Sequence, residues 1–240
     1  TLADGVSAYK TAPKFSATKV EDNISVDEVS LFVKKRASDA SAQKVSIPLK
    51  DGAFTDVQPV FTATDGSQDG VYTYWLEVTD QAGNVISTAA DAKTFTYDTT
   101  KPEITIGTLT NTDPATGTTY KKVSVPITVN DTNIALDKIV VKDNEVVVAN
   151  NDSRLSWTQT ATGYEGTYTT STQDITLDGN HRITVDARDN ATNAAEQKSI
   201  TFNLDQTAPV INAKIGETDI KNGDEKHVTG TPDFAFTIDS

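Results

Sequence analysis

Residues 77–84 read EVTDQAGN, and residues 186–193 read DARDNATN. Each closes a segment of alternating polar and apolar residues. Each is answered further on by an Asp and then a Pro, in FTYDTTKP at 95–102 and FNLDQTAP at 202–209. Alternation of this kind has the period of a strand with one buried face. In GVYTYWLEVTD (70–80), Tyr72, Tyr74, Leu76 and Val78 share one face, while Thr73, Trp75 and Glu77 share the other. In NHRITVDARD (180–189), the inward positions are His181, Ile183, Val185 and Ala187. The Asp, Asn and Gly residues that follow are turn formers, because Asp and Asn side chains bond their own backbone and Gly tolerates a left-handed conformation.

The duplication extends outward from these two stretches. Asp80 recurs as Asp189 after 109 positions, and Pro102 recurs as Pro209 after 107. SVPITVND (124–131) is echoed by DFAFTIDS (233–240), where Val129 recurs as Ile238 after 109. Three anchors with one spacing define a repeat of about a hundred residues, the size of a β-sandwich of the immunoglobulin type. VSVPITV (123–129) and DKIVVKDNEVVV (137–148) read as further strands. DEVSLFVKKRASDA (27–40) contains helix formers, but Val29, Leu31 and Val33 alternate as in a strand. No amphipathic helical stretch emerges, so the expected class is all-β.

Composition narrows the function. The 240 residues include 38 Thr, a β-branched residue suited to the wet face of a strand, but only 8 Phe and 2 Trp. Acids outnumber bases 34 to 21, for a net charge of −13. That balance disfavours nucleic acid, whose phosphates demand a basic footprint, and equally an anionic membrane surface. No apolar run reaches the roughly 18 residues that cross a bilayer, so membrane insertion is not expected. With no Cys there are no disulfides or thiolate metal sites. A disulfide-free secreted β protein fits a bacterial surface better than an animal one.

A strand ending in TDQAGN followed by one ending in YDTTKP resembles the bacterial Ig-like repeats of large surface proteins, including adhesins, S-layer-type proteins and appendages of secreted glycosidases. The second copy departs from the pattern at Thr192, in place of the Gly, and at Gln206, in place of the first Thr after the Asp. The resemblance implies tandem immunoglobulin-like sandwiches. The expected divisions are 1–100 for a first domain lacking its first strand, 101–206 for a second, and 207–240 for the start of an incomplete third. Phe234, Phe236 and Ile238 of that last piece are expected to be covered by another chain, by the second domain or by further sequence.

Catalytic patterns are weak. His181 sits at an inward strand position where the first repeat has Tyr72, which suits a hydrogen-bonding role at the core edge. His227 lies in the polar loop NGDEKHVTG. No nucleophile-elbow pattern occurs. Trp75 and Trp157 are candidates for stacking on sugar rings, although covering a neighbouring strand is the simpler use of Trp75. A Lys–Asn isopeptide bond needs an inward Lys, and none is evident.

Calcium is the sharper expectation. In an Ig sandwich the loop DNATN of repeat two lies at the same pole as its incoming linker DTTKP and as the turn after SVPITV. Asp98, Asp131, Asp189 and Asn193 should therefore converge at one junction. Carboxylates, amides and carbonyls are the oxygen ligands that Ca²⁺ takes, six to eight at a time. Asp22, Asp80 and Asn84 form an incomplete equivalent at the first repeat, and Asp205 with Asp239 another at the third. DGSQDG (65–70) has the Asp65–Ser67–Asp69 spacing that opens a calcium loop, but Leu76 stands where an EF-hand needs Glu. A tight turn is its alternative reading.

These readings together predict a non-enzymatic extracellular spacer or stalk in a bacterial cell-surface or secreted protein, connected with adhesion or the cell wall. Its partners would be the neighbouring repeats of its own chain. Two rivals stay open: a module that grips a host or cell-wall glycan or protein, and an accessory portion of a secreted glycosidase.

Overall fold

The structure is a computed structural model that describes residues 7–36, 41–113, 117–170, 178–215, 217–221, 229–231 and 233–239. His227 and the side chain of Asp239 lie outside the described residues. The chain is all-β: apart from two short 3-10 turns at Ala89–Asp91 and Leu136–Lys138, every regular element among the described residues is a strand.

The first half comprises β1 (Ala8–Tyr9), β2 (Phe15–Ala17), β3 (Val26–Lys35), β4 (Gln43–Ile47), β5 (Phe54–Val57), β6 (Gly70–Asp80), β7 (Val85–Ser87) and β8 (Lys93–Tyr97). One sheet runs in the order β1-β8-β6-β3-β4, with β7 added to β6, and β2 pairs separately with β5. The alternation in β6 works as its sequence suggests. Tyr72 is buried against Phe95, whereas Trp75 lies on the opposite face, stacked on Phe32 of β3. Phe15 and Phe54 from the small sheet meet Leu31, Val33 and Phe95 from the large one in a single core.

The second half comprises β9 (Glu103–Ile106), β10 (Thr110–Asp113), β11 (Thr119–Tyr120), β12 (Lys122–Asn130), β13 (Ile139–Asp143), β14 (Val146–Val148), β15 (Leu155–Thr160), β16 (Gly163–Thr169), β17 (Gly179–Ala187) and β18 (Lys198–Leu204). One sheet has the order β11-β18-β17-β13-β14, the same path as the large sheet of the first half. The other runs β10-β12-β16-β15, with β9 also on β12. Both halves use a parallel pair in the same place, β1 on β8 and β11 on β18, while their other pairs are antiparallel.

The two sheets of the second half share one core. Val123, Val125, Ile127 and Val129 of β12 face Val141, Ile183 and Val185 of the other sheet, all essentially inaccessible to water. Full burial of an aliphatic side chain contributes about 1.5–3 kcal/mol, so β12 alone anchors its sheet strongly. Among the described residues, the first half has no counterpart of β9. Accordingly Leu76 and Val78 are only half-buried, while their counterparts Val185 and Ala187 are buried.

The last segment forms a three-stranded sheet, β20-β19-β21, from β19 (Val210–Ile215), β20 (Thr218–Ile220) and β21 (Phe234–Asp239). Its register repeats that of the second half, with Ile211 opposite Ile238 as Ile104 is opposite Val129. Of the three covers expected for this sheet, another chain, the second half or further sequence, the second half does not supply one. Ile211, Phe236 and Ile238 are each about two-thirds exposed (66%, 66% and 68%), whereas Ile104 is 3% exposed and Val129 fully buried.

Candidate metal centre at the joint

The loops of the opening motif are built identically in both halves. In residues 80–84 the Asn84 amide N–H donates to Asp80 Oδ1 at 2.8 Å, and Asn84 Nδ2 donates to Oδ2 at 2.7 Å. In residues 189–193 the Asn193 N–H donates to Asp189 Oδ1 at 2.8 Å and its Nδ2 to Oδ2 at 2.6 Å. The Asp and the Asn four residues later thus close a loop with both carboxylate oxygens satisfied. Backbone bonds from Asp80 N to Asn84 O and from Asp189 N to Asn193 O complete each loop. This arrangement needs a left-handed residue just before the Asn. Gly83 (φ 85°) supplies it freely, while Thr192 (φ 71°) must hold a conformation costing a side-chain-bearing residue roughly 1–2 kcal/mol.

The second loop does one thing more: Asn193 Nδ2 also donates to the backbone carbonyl of Asp98, at 2.9 Å. Asp98 directly follows β8, and its N–H bonds to Tyr9 O, prolonging the parallel pair into the linker. Asp131 follows β12 and is held by its N–H to Thr162 O and by the Asn133 N–H on its Oδ1, at 2.6 Å. Asn133 Nδ2 reaches across to Asp98 Oδ2 at 2.7 Å. Three strand ends, one from the first half and two from the second, thereby present Asp98, Asp131 and Asp189 to one another. Each offers a carboxylate oxygen within 4.8 Å of the others.

Asp98 (6% exposed), Asp189 (2%) and Asn193 (8%) are buried, and Asp131 is half-buried. Among the described residues, no Lys or Arg forms an ion pair with any of the three acids. Burial, opposed by the Asn133 hydrogen bond and reinforced by the charges of Asp189 and Asp131, pushes the Asp98 carboxyl up to about 6. Burial and the nearby acids also raise Asp131. Like charges in a partly desolvated site repel, and a divalent cation is the natural counterweight. A cleft of about 500 Å³ opens beside the cluster, bordered by Asp98, Asp131, Asn133, Asp69 and Thr100.

The incomplete equivalents are less developed. Asp22 and Asp80 border the same small cleft, with Asp22 Oδ2 engaged by the amides of Ile24 and Ser25. Asp205 follows β18, and its N–H bonds to Tyr120 O as that of Asp98 bonds to Tyr9 O. Its carboxylate accepts from the Thr207 amide.

The remaining candidates have structural partners. In DGSQDG, Asp65 accepts from the amide and hydroxyl of Ser67, the bonding of a tight turn, while Asp69 faces the linker instead. His181 Nδ1 lies 2.8 Å from Asp143 Oδ1 inside the core. The ring of Trp75 stacks on Phe32 at 5.2 Å, and that of Trp157 lies against Gly166, where a Cβ would meet it at 2.4 Å. Asn133 and Asp143 were not singled out as site residues by the sequence, and Asp69 was read only as part of the DGSQDG turn or calcium loop. Asp-x-Asn at 131–133 was the available clue for Asn133. The chain matches no protein-family description, and no curated protein is detectably similar to it.

Proposed function

We propose that this chain is a non-enzymatic spacer of tandem immunoglobulin-like sandwiches, of the kind found in bacterial surface and secreted proteins, and that calcium stiffens its joint. The identical path of the two large sheets and the facing sheets of the second half support the immunoglobulin-like reading. The observation that carries the calcium is the trio Asp98, Asp131 and Asp189. It draws carboxylates from both halves to within 4.8 Å, largely away from water and, among the described residues, without a cationic partner. The donor set consists of hard oxygens, as calcium requires. These three residues would hold the ion, and Asn133 and Asn193 would keep the carboxylates aimed. A bound ion would offset most of the cluster's charge and tie the linker to two loops of the second half, fixing the angle between rigid sandwiches that a short linker leaves free to bend.

The test is thermal unfolding and small-angle scattering of the chain with calcium and with chelator. Calcium at a hundredfold above Kd should stabilise by ~2.7 kcal/mol and narrow the distribution of overall dimensions. Asp98→Ala should lose both responses with the sandwiches still folded. If neither quantity changes in the wild type, the acids serve only as turn formers.

A further inference from the structure

The linker after β8 is latched by a further acid, Asp69, which borders the same cleft as the trio but whose carboxylate is hydrogen-bonded by the linker itself. Thr99 Oγ1 donates to Asp69 Oδ1 at 2.9 Å, and the N–H and Oγ1 of Thr100 donate to Oδ2 at 3.0 and 2.7 Å. The Thr100 N–H is shared with Asp98 Oδ1, at 3.1 Å. These donors outweigh burial and keep the Asp69 carboxyl below its ordinary range. The loop bearing Asp69 is shaped for this contact. Gly66 (φ 78°) lies where a Cβ would sit 2.6 Å from Thr100 Oγ1, and Tyr72 Oη anchors the loop by donating to Gln68 O at 2.6 Å.

The same latch occurs once more, 109 residues on. Asp178 Oδ1 accepts the Gln206 N–H at 2.7 Å, and its Oδ2 accepts the N–H and hydroxyl of Thr207. Thr207 thus plays the part of Thr100 at the point where the chain leaves β18. Two linkers of different sequence, DTTKP and DQTAP, are bent onto the body of the preceding sandwich by an Asp immediately before β6 in one case and β17 in the other. A turn-forming role would bond these carboxylates to their own loops. Instead, both reach roughly 30 residues along the chain.

We infer that Asp69 and Asp178 are positioning residues that set the direction in which each linker leaves its sandwich, independently of any ion at the joint. The inference rests on the spacer reading in one respect only, that exit direction matters to the job. The latch holds the linker at Thr99 and Thr100 to the half it departs from, and Asn133 and Asn193 hold it at Asp98 to the half it enters, so the two devices act on adjacent residues of one short segment.

The experiment is amide hydrogen exchange together with small-angle scattering on the full chain in chelator, which separates it from the calcium test. In Asp69→Ala the Thr100 amide should exchange at least tenfold faster and the distribution of overall dimensions should broaden, with protection in β6 unchanged. Asp178→Ala should do the same at Thr207 and leave Thr100 untouched. If Asp69→Ala also loses protection in β6, the double variant Thr99→Val with Thr100→Val decides, since it removes two hydroxyl donors and keeps the acid. Broadened dimensions in that variant support the latch. Unchanged dimensions in it, or unchanged Thr100 exchange and dimensions in a folded Asp69→Ala, overturn the inference whether or not calcium binds.

Discussion

Asp98 shows how much one residue's surroundings can ask of it. Its carboxyl titrates near 6 in the folded chain, against 3.8 for the unperturbed group, because burial and two nearby acids penalise its charge. The folded state therefore binds more protons than the unfolded state between about pH 4 and 6. Stability from this group is fully present below that window and is lost as pH rises through it. In chelator at pH 7, Asp98→Asn should then melt at a higher temperature than the wild type, and the gap should close by pH 4. Calcium should reverse the order at pH 7. An Asn variant less stable than wild type in chelator at pH 7 would show that repulsion does not govern this site. The sequence located Asp98, Asp131, Asp189 and Asn193 because loop positions follow from strand direction. It did not reveal Asp69 as a latch, since Asp65–Ser67–Asp69 spacing suits a turn or a cation loop equally well, and only the path of the linker decides.

At the scale of elements, a polar pin crosses the core of the second half. Tyr168 on β16 donates from its Oη to Asp143 Oδ2 at 2.7 Å, and His181 on β17 engages the other oxygen of the same carboxylate. Burial, and then the bond to Asp143, raise the phenol's pKa and keep it a donor. The Arg154 guanidinium lies over the Tyr168 ring at 5.7 Å and is itself held by Asp152. Tyr168→Phe preserves the ring but leaves one buried oxygen of Asp143 without its donor, a loss of about 1–3 kcal/mol. Chemical denaturation of the full chain should show it in the transition of the second half alone. A change below a few tenths of a kcal/mol would mean that water or His181 compensates. Alternation correctly turned His181 inward, but it carries no information about which residues of other strands lie opposite. That depends on register, and Tyr168 belongs to the facing sheet altogether.

Over the whole molecule, the two halves share a plan but differ in completeness. Among the described residues, the buried cluster of the second half holds 15 and that of the first holds nine, and the inward residues of β6 near the joint-distal pole remain half-wet. The first half should therefore unfold first, with amides in β6 exchanging faster than those in β17. A single transition with matched exchange would instead show that the joint couples the halves into one cooperative body. The all-β class and the recurrence of the strand-ending loops were legible because apolar alternation and Asp-Pro punctuation recur. The split of one strand into β9 and β10, and the bare face of β19 and β21, were not legible. Both depend on what each strand meets in space.

The parallel pairing of β1 with β8, and of β11 with β18, has a mechanical side. Each pair joins an early strand of its half to the last and runs parallel to it, so tension that reaches the two strands from opposite ends of a half drags these neighbours past each other. The bonds from Thr96 N to Ser7 O and from Asp98 N to Tyr9 O, like those from Asn203 N to Thr118 O and Asp205 N to Tyr120 O, then lie across the direction of slip. They share the tension and must give way together. A hairpin pulled from its open end would surrender its bonds one at a time, so the same number of bonds resists a larger force in this arrangement.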